Sequence, residues 1–165
     1  MTIPAKPIMI LLAALAGFAA RADAHDAYMM GMYVGRCPEP SHASFQEAWN
    51  RAESAAAAER NAFVVVGSGP SMEPLYPSGT VLVVKRVPYS SLKSGSAVVY
   101  VNHEGKPVLH VLVALTSDGW RVAGLNNPGA DPGGVDAGNF AGLVVSAYIP
   151  DGPNPLAHVE RIAMR

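Results

Sequence analysis

Ala97-Val-Val-Tyr-Val101, Val108-Leu-His-Val-Leu-Val-Ala-Leu115 and Trp120-Arg-Val-Ala123 are three short runs rich in β-branched and aromatic residues, with Glu104-Gly105 and Ser117-Asp-Gly119 between them. Runs of this length bounded by turn residues read as strands. The pattern extends outward in both directions. Phe63-Val-Val-Val66 and Val81-Leu-Val-Val84 precede these runs and Leu143 to Ile149 follows them. Gly67-Ser-Gly-Pro70, Pro77-Ser-Gly79, Ser94-Gly95 and Asn126 to Gly134 punctuate the series. Short strands spaced this evenly, with no helical pattern between them, pair antiparallel. The expected fold is mainly β, an antiparallel folded-over sheet or partly open barrel and not a doubly wound one.

Upstream of the strands, Ser44-Phe-Gln-Glu47 has the spacing of a capping box, in which the Ser hydroxyl and the Glu carboxylate each satisfy an amide of the first turn. It predicts one N-terminal helix over 44–61, carried by the Ala-rich stretch Ala55 to Ala58, with Phe45, Ala48, Trp49 and Ala52 along one stripe. Residues 25–43, including Cys37-Pro-Glu-Pro40, show no period and read as an irregular lead-in. The β-rich domain then occupies 62–150. Residues 151–165, with Pro153 and Pro155, form a C-terminal extension that is either a surface segment or a short helix.

At the other end, Lys6 is followed by an apolar run from Pro7 to Ala20, and Ala22-Asp-Ala24 supplies the small residues of a cleavage site. Residues 1–24 therefore read as a signal peptide. The alternative, a membrane anchor, needs about 20 apolar residues, and this run stops short at Arg21. Export follows. The protein is periplasmic or extracellular if the signal is cleaved, and membrane-anchored otherwise.

Composition narrows the function classes. Half of the 165 residues are hydrophobic and 15% are charged, as in one globular domain. The formal net charge is −1, and no basic cluster exceeds Lys85-Arg86, so nucleic acid is not an expected partner. Cys37 is the single cysteine and can form no intrachain disulfide. The five histidines show none of the spacings of a zinc site, so neither metal nor cofactor is implied.

The chemistry concentrates in Gly67-Ser-Gly-Pro-Ser71-Met-Glu-Pro74, which sets a serine in a tight loop directly after an apolar strand. A nucleophile needs this setting, because its hydroxyl must reach substrate while nearby amides turn toward a developing oxyanion. Gly-Ser-Pro loops are also ordinary turns, so these residues alone leave a plain turn serine as the alternative.

The wider series decides between them. Ser71-Met72-Glu73-Pro74, Gly79, the strand Val81 to Lys85, Leu92, Gly95 and Val98-Val99-Tyr100 occur in an order that resembles the type I signal peptidase family, within the clan that also holds self-cleaving repressors. Its bacterial members place a lysine base in a later strand. Its archaeal and endoplasmic-reticulum type places a histidine there, followed by a Gly-Asp-Asn-Asn turn and an aspartate. Here the matching segments are Pro107-Val-Leu-His110-Val-Leu, Gly124-Leu-Asn-Asn127 and Asp131, so the chain is similar to the histidine type.

The resemblance implies a serine endopeptidase in which Ser71 attacks, His110 takes its proton and Asp131 orients the imidazole. Asp136 is the alternative orienting carboxylate, and Gly69, Met72 and Pro74 belong to the substrate and oxyanion loop. A neutral imidazole suits the task near neutral pH. The implied substrate is a peptide or preprotein cut after small residues, in exported or membrane-proximal chains. Thr80 and Ser96 stand where the family has Asp after Gly, Leu125 replaces the Asp of the turn, and Val111 replaces an Arg after the base. These departures define the competing expectation, a catalytically degenerate periplasmic β-domain that binds a peptide or protein partner. Lys106, beside Gly105, is a turn lysine and not a base. Ala16-Gly17 lies in the apolar run, so regulatory self-cleavage is not expected.

Overall fold

The computed structural model describes residues 32–152. The expected signal segment and the tail beyond 152 lie outside the described residues. In chain order the elements are β1 (Ser41–Ser44), α1 (Phe45–Ala58), β2 (Ala62–Val66), β3 (Val81–Lys85), a 3-10 turn (Tyr89–Ser91), β4 (Ala97–Val101), β5 (Pro107–Thr116), β6 (Gly119–Ala123), β7 (Gly134–Val135) and β8 (Phe140–Asp151). Eight strands form one sheet in the order β2-β3-β8-β4-β5-β6-β7, with β1 added parallel to the end of β8. Every other ladder is antiparallel. The fold is mainly β with a single helix among the described residues, as the strand pattern predicted.

Three local outcomes differ from the sequence reading. Ser41–Ser44, expected as the end of the irregular lead-in and, at Ser44, the start of the helix, is a strand, because β8 runs on to Asp151 and offers it a partner edge. The capping box is half formed. Ser44 Oγ accepts from the Glu47 amide at 3.3 Å, while the Glu47 carboxylate pairs with Arg51 one turn on and does not reach back. The helix ends at Ala58, and Asn61, at φ 62°, reverses the chain into β2.

Alternation along the strands builds the core. On β3, Val81 and Val83 point to α1 and pack with Ala43, Ala48 and Ala52, while Leu82 and Val84 point the other way into the central cluster with Met72, Val99, Val111 and Leu125. The helix faces the sheet through alanines, which lets its backbone approach closely. On β4 and β5 the second face is covered as well, since Val98, Tyr100 and Leu112 pack with Leu92, Trp120 and Val122. Each fully buried valine of these strands contributes about 2 kcal/mol by transfer from water.

Extra residues bend the sheet. β8 carries one beside Val83/Val84 and another beside Val99/Tyr100, and β5 carries one between Leu112 and Ala114. As a result, β2 and the first half of β5 line one cavity although three strands separate them in sheet order. The sheet is folded over on itself. No described helix is long and apolar enough to cross a membrane.

Candidate active site

His110 lies on β5 opposite Val98 of β4 and is 5% exposed. A buried imidazole needs partners for its ring nitrogens, and Nδ1 has one in Asp131 Oδ2, 2.6 Å away. Asp131 is carried there by the Gly-rich loop after β6, anchored where its amide donates to the Val122 carbonyl at 2.9 Å. The same carboxylate oxygen accepts from the Tyr100 hydroxyl, and the Asn127 side chain donates to the carboxylate too. Burial pushes the Asp131 carboxyl up, but the bonds from His110, Tyr100 and Asn127 outweigh it and hold the group below the usual carboxylate range.

The structure separates the two carboxylates offered by the sequence. Asp136 Oδ1 accepts from the amides of Gly138 and Asn139, at 2.7 and 3.0 Å. It closes its own turn before β8 and makes no contact with His110 among the described residues. Of the two carboxylates, Asp131 is the one in contact with His110, and Asp136 is held through Oδ1 in its own turn.

Ser71 follows β2 in a loop held at both ends. Gly67 and Thr80 continue the β2–β3 hairpin through Gly67 N to Thr80 O at 2.8 Å, and the Glu73 amide donates to Pro70 O at 3.0 Å. Met72 is 2% exposed and sits in the central cluster, so its side chain anchors the loop while also lining the cavity beside Ser71. The Glu73–Pro74 peptide is cis. Gly69, at φ 80°, takes a backbone conformation that favours glycine. The amides of Gly69, Ser71 and Met72 donate to no carbonyl among the described residues.

The Ser71 loop and the His110–Asp131 pair meet at the turn after β6. Asn126 donates its amide to Ser71 O at 2.8 Å. Gly124 passes so close that a Cβ there would stand 2.6 Å from Ser71 O and 2.8 Å from Asn127 Nδ2. The same short turn thus touches the serine backbone and supplies Asn127 to Asp131. No hydrogen bond joins the Ser71 hydroxyl to His110 among the described residues.

Ser71 lines a cavity of about 300 Å³ with Val65, Met72, Tyr76 and Leu109. His110 and Asp131 line a neighbouring one with Tyr100 and His103, and Val108 is common to both walls. Along Pro107–His110, β5 pairs with β4 alone, because β6 joins only from Val111 onward. β2 likewise pairs only with β3. Two open strand edges therefore border the Ser71 cavity.

The four departures noted in the sequence are all interior. Thr80, Ser96, Leu125 and Val111 are 1, 5, 2 and 0% exposed. Thr80 Oγ1 donates to Pro77 O at 2.6 Å, closing the turn before β3. Sequence reasoning missed Tyr100 and Asn127 as members of the site. Both stood inside quoted motifs, and the signal for Tyr100 was a hydroxyl in an apolar strand run.

No curated protein matches the chain. Residues 29–139 match the family described as Peptidase S24-like, which spans the Ser71 loop, the His110 strand and the Asp131 loop together. That match covers more than half of the chain, and the protein belongs to the Peptidase S24-like family.

Proposed function

We propose that this protein is a serine endopeptidase of the histidine-type signal peptidase kind, with Ser71 as nucleophile, His110 as general base and Asp131 as orienting carboxylate. The observation that carries the reading is the 2.6 Å contact between His110 Nδ1 and Asp131 Oδ2. A carboxylate held ionised accepts a hydrogen bond from Nδ1–H, which leaves the lone pair on Nε2 as the base. The Ser71 hydroxyl gives its proton to Nε2 as its oxygen attacks the peptide carbonyl. The Ser71 and Met72 amides, unclaimed by backbone carbonyls, are candidates to receive the oxyanion. His110 then returns the proton to the leaving amine, and water repeats the sequence on the acyl-enzyme. The bond from the Ser71 hydroxyl to the imidazole, absent among the described residues, has to form when substrate enters.

The two open strand edges support an extended peptide as substrate, since its backbone can add to Pro107–Leu109 and β2 while side chains enter the apolar cavity beside Ser71. The preference for small residues, the preprotein substrate, the exported location and membrane proximity rest on the resemblance and on residues 1–24.

A second reading, a domain that holds a peptide in this groove without cutting it, has one observation in its favour. Leu125 and Val111 put apolar side chains in the core where the family has an Asp and an Arg. Mapping cuts in a proteome-derived peptide library separates the two. Cleavage that falls by about 1000-fold or more in Ser71→Ala supports the peptidase. Cuts that persist unchanged in that variant, or a wild type that binds peptides and cuts none, support the second reading.

A further inference from the structure

Tyr100 occupies a position where a strand buried on both faces needs only an apolar side chain, yet it brings a hydroxyl into the interior. The β4–β5 register sets Tyr100 opposite Val108 and His110 opposite Val98, so Tyr100 and His110 rise diagonally from one face. Their ring centroids are 6.4 Å apart. Tyr100 is 3% exposed among Leu92, Val98, Leu112 and Trp120, none of which offers an acceptor for the phenol proton. Its partner is Asp131 Oδ2, the oxygen that also meets His110 Nδ1.

We propose that Tyr100 is a positioning residue of this site, fixing the Asp131 carboxylate and setting how much of its negative charge the His110 imidazole feels. The inference rests on the reading of Ser71, His110 and Asp131 as a catalytic set. Two donors on one oxygen divide its charge between them, so the imidazolium formed during attack is stabilised less than by a carboxylate facing it alone. They also hold the carboxylate against rotation.

Burial, followed by the hydrogen bond and charge of Asp131, pushes the Tyr100 phenol far above its ordinary range, so it remains a donor at every working pH. The other titratable groups around the pair are few. His103 lines the same cavity from the β4–β5 turn. Glu104 and Lys106 in that turn pair with each other at 2.8 Å on the surface. Asp136 is bonded through Oδ1 to the Gly138 and Asn139 amides of its own loop. None stands between Tyr100 and Asp131.

The test uses Tyr100→Phe, with two readouts: the titration midpoint of the Asp131 carboxyl by carbon NMR, and the pH profile of Ser71 acylation by a fluorophosphonate. The carboxyl midpoint rises by about one pH unit, because a donor to the ionised form is lost. The acid limb of the acylation profile moves upward with it, since the less shared charge holds the imidazolium to higher pH. Thr116→Val, which removes a hydroxyl that donates to Gly119 O at 2.8 Å at the far end of β5, moves neither. If Tyr100→Phe does not fold, 3-fluorotyrosine placed at position 100, a stronger donor, lowers both midpoints instead.

Midpoints unchanged by either replacement, in a protein whose Ser71 is acylated, overturn the inference and leave the peptidase reading standing. A carboxyl midpoint that moves while Ser71 resists acylation at every pH overturns the peptidase reading. The coupling of Tyr100, Asp131 and His110 then stands as a property of a binding domain.

Discussion

β3 and β5 are both apolar strands of one sheet, and they differ in how far their edges are closed, which is where the proposed chemistry sits. β3 is closed on every side: β2 and β8 take its edges, α1 covers Val81 and Val83, and the central cluster covers Leu82 and Val84. β5 is closed only from Val111 onward, where β6 joins it. Over Pro107–His110 one edge is open, and His110 sits at the last position before closure. A strand satisfied all round can only contribute stability. One left open for four residues exposes backbone donors and acceptors to another chain and puts a titratable side chain beside them. Pro107 suits the start of such a segment, since it has no amide to leave unpaired.

Substitutions in the two regions should therefore separate activity from stability. The largest of these effects is expected at the turn after β6, beside the open segment. Gly124→Ala forces a Cβ against Ser71 O and Asn127 Nδ2, and a displacement of about 1 Å at a nucleophile costs about 100-fold in rate. The second-order rate of Ser71 acylation measures it, and an unchanged rate removes the turn after β6 from the account. Next is Val83→Ala beneath the helix, expected to lower unfolding free energy by about 2 kcal/mol in urea titrations while the acylation rate of the folded protein stays within a factor of two. A rate that falls with it shows that the closed region reaches the site. The smallest is Ser44→Ala, which removes the hydroxyl that accepts from Glu47 N and costs about 1 kcal/mol by the same titration.

Much of this arrangement was legible in the sequence, and for identifiable reasons. Strands such as Val81–Lys85 and Ala97–Val101 announce themselves because uninterrupted β-branched runs between glycines have few other places to go. Ser71, His110 and Asp131 were reached through motif order, and the structure brings the last two into contact. β1 was not legible, because Ser41-His-Ala-Ser44 has no strand pattern of its own and pairs only because the distant end of β8 passes alongside. The choice of Asp131 over Asp136 depended on where the Gly-rich loop folds, which spacing does not encode. Tyr100 escaped notice because an aromatic residue in a strand is ordinary, and only the register with β5 aims its hydroxyl at Asp131.

The central claim is that Ser71 is a nucleophile activated by His110. Its most direct measurement is the rate and site of covalent labelling by a fluorophosphonate at neutral pH, read by intact mass and peptide mapping in wild type and His110→Ala. The account predicts a single adduct on Ser71, forming at least about 100-fold more slowly in His110→Ala, the span expected for loss of a general base. An adduct on Ser71 that forms equally fast in both proteins, or one that maps to another residue, would contradict it.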